Sequence, residues 1–311
     1  MLKRCLAIIA VLASALAASA QQEPAFTHYW LLEPAYNPAA AGKSEQLNIG
    51  IAYNMQLTGY DNAPKTMYAG ADIQLAMGRT RHGVGAHFMN DNIGLFAHQR
   101  FVVQYNYKVP LFGGVLSLGV QGDMLSETFK GSGAETSDAS DPAIPTTDVS
   151  GSKFDASAGI YFNHRRWYAG VSALHLTEPT VTLGETYQYS VARTYFFTAG
   201  YNIKLNNPFI TIHPSVLGMY DGTDWLANVS ARLEYNYEQR HLFVGGTYGI
   251  DRSAALFVGG KFMGVVLTYS YEAYTSGVGL KNGAHEIVVG YQMDIDLGKK
   301  GKNRHKSVRL L

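Results

Sequence analysis

Beyond its first twenty residues the chain has no run of eighteen consecutive apolar residues, so no segment is long enough to cross a bilayer as a helix. Yet apolar side chains recur at every second position almost to its end. Period two places alternate side chains on opposite faces of a strand, and a strand with lipid on one face and a polar interior on the other shows this pattern. Leu47, Ile49, Ile51, Tyr53 and Met55 alternate with Asn48, Gly50, Ala52 and Asn54, and Phe101, Val103, Tyr105, Tyr107 and Val109 alternate with Val102, Gln104, Asn106 and Lys108. A chain that spans a membrane this way must close into a barrel, because an open sheet edge has no hydrogen-bond partners in lipid. Composition agrees, with 21 Tyr, 33 Gly and only 16% charged residues. The competing reading, a secreted β-sandwich, explains the alternation but not the sustained lipid-like outer face.

Counting the alternating segments gives fourteen strands, near 47–55, 67–77, 82–90, 101–109, 115–125, 153–162, 166–174, 190–205, 208–219, 225–236, 241–250, 254–262, 265–274 and 284–297. The fold class expected is therefore all-β, a transmembrane antiparallel barrel with both termini in the periplasm. Even strand number and connection lengths support it, since bacterial barrels have short periplasmic turns and longer outer loops. The long segments 56–65, 91–96, 126–152, 175–188 and 275–283 follow odd strands, and the compact turns 78–81, 110–114, 163–165, 206–207, 237–240 and 263–264 follow even ones. Tyr105, Tyr107, Trp167, Trp225, Tyr235, Tyr269 and Tyr271 stand near strand ends, where an amphipathic ring suits the headgroup zone.

Four parts result: a signal peptide at 1–20, a periplasmic N-terminal segment at 21–45, the barrel at 46–297 and a basic periplasmic tail at 298–311. Lys3 and Arg4, the short apolar run Leu6 to Ala18 and the small residues Ala18, Ser19 and Ala20 make the signal, with cleavage expected before Gln21. Cys5, near the start of the apolar run, is the single cysteine, so the mature chain forms neither disulfides nor thiolate metal sites. Of 25 Lys and Arg, two lie in the signal and six in the tail, which leaves 17 against 24 Asp and Glu. The tail, with Lys299, Lys300, Lys302, Arg304, Lys306 and Arg309, is thus basic beside an acidic barrel, suited to a periplasmic partner, peptidoglycan or phosphate-bearing lipid. In loop 126–152, Asp138, Asp141 and Asp148 lack the close spacing of a calcium loop and read as solvated.

No HExxH, G-x-S-x-G or phosphate-loop pattern occurs, and His82 and His87 fall on opposite faces of one strand, so the chain is expected to be no enzyme and to need no cofactor or metal. With basic residues gathered in the tail, no nucleic-acid partner is expected.

The mature N-terminus carries Gln21-Gln22-Glu23-Pro24-Ala25-Phe26-Thr27-His28-Tyr29 and then Asn37-Pro38-Ala39-Ala40-Ala41-Gly42 just ahead of the first strand. This resembles the opening of the PorP/SprF family of the type IX secretion system, with its Q-x-P-x-F-[ST]-Q-Y stretch and N-P-A-x-A-G motif; His28 stands where Gln is usual. The resemblance implies a non-enzymatic outer-membrane component of type IX secretion, in some members tied to gliding motility. Its implied partners are membrane lipid, secretion ring or motor proteins, peptidoglycan-binding periplasmic proteins, and secreted cargo with a C-terminal sorting domain.

Pro34 and Pro38 interrupt regular structure and Gly42 permits a sharp turn, so the segment is expected to pack across the periplasmic mouth. Candidate partner-binding residues are Asn37, Pro38, Gly42, Lys299, Lys300, Lys302 and Arg304. The role expected is to anchor a secreted cell-surface protein, the periplasmic ring, or both. The alternatives are a diffusion porin, whose lumen residues would include Asp72, Gln74, Gln104, Asn106, Lys108, Asp123, Lys204, Arg232 and Glu234, and a transporter of hydrophobic solutes.

Overall fold

Strand β4 (Phe96–Leu111) shows what the period-two pattern builds. Phe101, Val103, Tyr105 and Tyr107 are 40–56% exposed on its outer face, while Val102, Gln104, Asn106 and Lys108 are buried on its inner face. The computed structural model describes residues 23–133, 146–184, 187–238, 240–276 and 282–295. The preceding strands are β1 (Leu47–Met55), β2 (Lys65–Met77) and β3 (Thr80–Ile93), and β5 (Gly114–Lys130), β6 (Asp148–Asn163) and β7 (Trp167–Leu174) follow. After a small hairpin, β8 (Thr180–Leu183) and β9 (Tyr187–Ser190), come β10 (Thr194–Tyr201), its short continuation β11 (Ile203–Lys204), β12 (Ile210–Tyr220) and β13 (Trp225–Tyr237). The last four are β14 (Arg240–Gly249), β15 (Ser253–Phe262), β16 (Val265–Tyr274) and β17 (Gly283–Met293).

Fourteen of these, β1–β7, β10 and β12–β17, pair antiparallel in sequence order, β10 passing directly to β12, and β1 pairs with β17 from Leu47↔Met293 to Met55↔His285 to close the barrel. Closure leaves no unpaired edge facing lipid. No helix among the described residues is long and apolar enough to cross a membrane. β1 begins and β17 ends at the mouth whose connections are all short, such as Gly78–Arg79, Phe112–Gly113 and Met263–Gly264, while the long connections after β1, β5 and β7 lie at the other mouth, so the barrel rule makes the first periplasmic. The seven aromatic residues expected at strand ends all face outward and are exposed.

Several boundaries differ from the sequence reading. The outer connection expected at 91–96 is the two-residue turn Gly94–Leu95, because β3 and β4 run on past the alternating stretch and stay paired to Ile93↔Phe96. At 16, 17 and 16 residues, β4, β5 and β6 exceed the nine to eleven that span a bilayer and raise one side of the outer rim. The eighth barrel strand begins at Thr194, not 190, since Tyr187–Ser190 pairs with β8 instead. β17 stops at Met293, not 297, since its partner β1 starts at Leu47, opposite Met293. In loop 126–152, Asp138 and Asp141 lie outside the described residues, and Asp148 accepts hydrogen bonds from the Ser132 backbone N–H and hydroxyl.

Because Val103 points outward between Ala86 of β3 and Gly122 of β5, Val103→Arg puts a charge into the apolar band. It is expected to cost about 2–4 kcal/mol of folding free energy in lipid vesicles by denaturant titration if it sits at the midplane, falling toward zero if it sits near the interface.

Candidate functional site: the filled lumen

The N-terminal segment does not lie across the periplasmic mouth, as its prolines and glycine suggest. It occupies the lumen. Glu23 sits beside Arg100 and His175 near the outer end, Thr27 and His28 at mid-height against Glu286, and Gly42 beside Asp72 near the periplasmic end, where the chain turns into β1. Pro34 stands second in a single helical turn, Glu33–Tyr36, and Pro38 opens a 3-10 turn, Pro38–Ala40, so each proline sits in a first turn, where its missing N–H costs nothing. Phe26, Tyr29, Leu32 and Tyr36 are at most 2% exposed and pack on Tyr68, Leu174, Phe196, Leu217, Met219 and Val288 of the wall. The molecule's main hydrophobic core is therefore the boundary between plug and barrel. Trp30 closes one side, its ring 3.5 Å from the Arg232 guanidinium and edge-on to Phe243.

An irregular chain buried in a barrel leaves its peptide groups without a ladder, and each needs a partner. The wall supplies them. Gln104 donates to the Pro34 carbonyl at 2.6 Å, Asn106 to Pro38 and Ala41 at 3.0 and 2.8 Å, Lys108 to Ala41 at 3.1 Å, and Ser172 to Tyr36 at 2.6 Å. Asp72 accepts from the Gly42 N–H at 2.7 Å. Glu286 accepts from the backbone N–H groups of Thr27 and His28, from His28 Nδ1 and from Asn54. Five of the residues read as pore-lining, Asp72, Gln104, Asn106, Lys108 and Arg232, thus hold the plug. Asp123 is buried beside Asp155 and His175, Glu234 pairs with Arg232, Gln74 reaches Glu45, and Lys204 is exposed on β11.

Asn37 is the centre of this contact. Its side-chain oxygen accepts from the Ala39 N–H at 2.9 Å, and its amide donates to the carbonyls of Ile160 on β6 and Val171 on β7. The backbones approach closely because the wall carries glycine opposite: a Cβ on Gly159 would lie 2.1 Å from the Asn37 oxygen, and one on Gly119 would lie 2.3 Å from the Ala39 nitrogen. Gly42 holds φ at +63°, a left-handed conformation. Asn37, Pro38 and Gly42, expected to meet a periplasmic partner, are therefore buried against the barrel and offer it no surface in this closed arrangement. Lys299, Lys300, Lys302 and Arg304 lie outside the described residues.

The outer end of the plug is clamped by charge. Glu23 accepts from Arg100 at 3.2 Å and from His175 Nε2 at 2.7 Å, while His175 Nδ1 reaches Asp155 at 2.7 Å. Hydrogen bonds from both ring nitrogens to carboxylates require the imidazolium form. Burial alone pushes the His175 imidazole down, but Asp155 and Glu23 lift it to about 9. Burial likewise pushes the Glu23 carboxyl up, and Arg100 with His175 overcomes this and holds it near 2. Above the clamp the β8–β9 hairpin folds inward, with Val181 and Leu183 buried and Tyr189 5.2 Å from the His98 ring. Beneath it remains a cavity of about 280 Å³, lined in part by Glu23, Asp91, Phe96, Glu127, Tyr187 and Tyr189. That Glu23–Gly42 is what fills the lumen is not legible in the sequence, because its apolar residues follow no strand or helix period; the mixed, self-pairing polar residues on the inner faces hint only that the interior is filled.

The family model described as type IX secretion system membrane protein PorP/SprF matches residues 18–291. Among curated proteins, no sequence matches the chain. Among solved structures, the chain is similar to the CymD monoaromatic hydrocarbon channel, with TM-score 0.52 and 10% identity over 88% of this chain and 95% of that one. It is also similar to the Pseudomonas putida toluene transporter TodX, with TM-score 0.48 and 9% identity over 88% and 95% of the two chains. A FadL homologue of Pseudomonas aeruginosa gives TM-score 0.48 and 11% identity over 83% and 92%. At such identities the CymD likeness shows the outer-membrane barrel fold and nothing of what passes through it.

Two outcomes test the site. Gly159→Val, which drives a side chain into Asn37, is expected to destabilise the seated plug by about 1–3 kcal/mol and to expose Glu23–Gly42 to protease while the barrel keeps its heat-modifiable mobility in gels. The clamp sets a pH window. Glu23, held near 2, contributes fully above its ordinary 4.5 and loses that contribution as pH falls toward 2; His175, raised to about 9, contributes fully below 6.5 and loses it as pH rises through 9. Protection of the plug is therefore expected to be greatest between pH 4.5 and 6.5, with Glu23→Gln flattening the acid side and His175→Gln the alkaline side.

Proposed function

Since the chain belongs to the PorP/SprF family of type IX secretion system membrane proteins and folds as an outer-membrane barrel, we propose that it serves that system as a closed anchor: it holds a secreted surface protein at its outer rim, the periplasmic ring beneath it, or both. The observation that carries this reading is the filled lumen. A barrel whose interior is occupied by its own chain, with the carbonyls of Pro34, Tyr36, Pro38 and Ala41 bonded to lumen side chains, is organised to hold shape and not to conduct. Outer segments 126–152 and 175–188, the second running into the inward-folded hairpin, present the surface to cargo. The basic tail, 298–311, takes the periplasmic side. Signal cleavage before Gln21, a link to gliding motility and cargo with a C-terminal sorting domain belong to the same reading, as does a non-enzymatic role.

A diffusion porin would need an open path; the segment Glu23–Gly42 runs through the lumen and leaves beside it a cavity of about 440 Å³ lined in part by Trp30, Lys43, Asp72 and Arg232. Transport of hydrophobic solutes would need the plug displaced, because the outer cavity is floored by the Glu23, Arg100 and His175 clamp.

The purified full-length protein is expected to show no steady conductance in planar bilayers, and deletion of residues 23–42 to produce steady open pores. Steady pores from the intact chain would move the reading to a porin. In native outer membranes, deleting 298–311 is expected to lower recovery of secretion-ring proteins in mild-detergent pull-downs without affecting insertion; unchanged recovery would end the tail's assigned role.

A further inference from the structure

The tall side of the outer rim ends in an open edge. β6 pairs with β5 along its whole length, from Lys130↔Asp148 to Val115↔Asn163, but with β7 only from Ala158 to Asn163. Even-numbered residues of β6 turn their N–H and C=O groups toward β7. The Ala156 carbonyl accepts from the Leu176 N–H at 2.9 Å, and the Ile160 and Val171 carbonyls lie close enough together for the Asn37 amide to bond both. Above Ala156, the same groups of Asp148, Ser150, Ser152 and Phe154 have no backbone partner on that side among the described residues. All four residues are exposed, and the row from the first to the last spans about 20 Å.

The edge stands in water, above the bilayer. On the outer face of β4, β5 and β6 the series of large apolar side chains stops at Phe101, Met124 and Phe154, which lie side by side, and the outward residues above them are Gln99, Ser126 and Ser152, then Ala97, Thr128 and Ser150. Unpaired peptide groups are tolerated there and not in hydrocarbon. The β8–β9 hairpin braces the inner face of the same stretch: a Cβ on Gly151 would lie 2.5 Å from the Thr182 carbonyl oxygen and 2.7 Å from the Val181 side chain. Its two strands form a ladder only with each other, so it adds none to β6. Sheet edges are ordinarily blunted by proline, a bulge or charge. Asp148–Phe154 has no proline, its ladder with β5 runs without a bulge, and its outer face carries Asp148, two serines and Phe154, which is 82% exposed.

A row of alternating N–H and C=O groups is matched by an extended polypeptide, and the polypeptides that reach the outer side of this membrane are secreted ones. We propose that Asp148–Phe154 takes one extended strand of the secreted surface protein, which joins the barrel wall by main-chain pairing and lays a side chain against Phe154. The inference rests on the anchoring reading and names the contact that does the holding. A second copy of this chain does not fit the edge. It stands upright in the same membrane, so its β6 runs in the same direction and the two edges would join in parallel. The bonds of a parallel ladder slant to residues before and after the one opposite, and the two-fold axis of a symmetric dimer does not allow that arrangement.

The test separates main chain from side chain. Proline at 150 or 152 removes an N–H that points off the sheet and leaves the ladder with β5 intact, whereas alanine there removes only the hydroxyl. The full-length barrel, purified from native outer membranes in mild detergent, is expected to carry a secreted surface protein identified by mass spectrometry. With two hydrogen bonds lost, the double variant Ser150→Pro/Ser152→Pro should lower its recovery at least about tenfold. Ser150→Ala/Ser152→Ala should leave recovery unchanged, and both variants should keep heat-modifiable mobility in gels. Equal recovery with the proline variant overturns the inference and leaves the anchoring role standing; no surface protein on the wild-type barrel ends both. Hydrogen exchange of the wild-type protein needs no variant: the amides of Ser150, Ser152 and Phe154, read in the peptide Asp148–Phe154, are expected to exchange at least about tenfold more slowly in native outer membranes than in the barrel stripped of its partner. Equal rates overturn the inference, as does slow exchange already in the stripped barrel, which would mean that the chain covers its own edge.

Discussion

Everything inside this barrel follows from the need to satisfy the peptide groups of an irregular chain held away from water. A strand in the wall bonds to its neighbours, but Glu23–Gly42 has only three short turns and must borrow partners. Gln104, Asn106, Lys108 and Ser172 donate to its carbonyls, and Asp72 and Glu286 accept from its N–H groups. The inner wall is thus a mould for one particular segment. The polar side chains that would line a water-filled pore are the ones that hold the plug in register.

The same arrangement relocates the hydrophobic core. In a soluble domain apolar side chains meet between layers, whereas here the outer apolar face belongs to lipid and the core forms where Phe26, Tyr29, Leu32 and Tyr36 meet the inner wall. Polar pairs punctuate it at three heights: the ion pairs of Glu23 with Arg100 and His175 and of Glu33 with Lys43, whose ammonium also lies over the Tyr168 ring, and the hydrogen bond between His28 and Glu286. Buried pairs contribute little net stability, since desolvation offsets attraction, but breaking one side leaves an uncompensated charge and costs about 3–5 kcal/mol. They therefore fix where the plug sits more than how strongly it is held.

A closed barrel suits a component of a protein-secretion machine that has one face on the cell surface and one in the periplasm. The tall rim made by β4, β5 and β6 and the inward hairpin shape the outer face, and the N-terminal segment occupies the lumen between the two. The family match places the chain in that machine, and the likeness to CymD adds only that the barrel architecture is shared with proteins of other roles.

Period-two alternation alone determined the fold class, the fourteen strands and which residues face lipid, because lipid on one side imposes a repeating demand that each strand meets locally. Strands such as β4 and β13 are legible for that reason, and their ends are not: β3 and β4 continue beyond the bilayer, where no apolar band is required. The family motif was legible too, as residues, but its place was not. Asn37-Pro38-Ala39 has no periodicity, and its partners, Gly119, Gly159, Ile160 and Val171, lie eighty or more residues away in sequence. Only closure of the barrel brings those glycines and carbonyls to one height on one wall, and only there does a segment that reads as a periplasmic turn become the filling of the lumen.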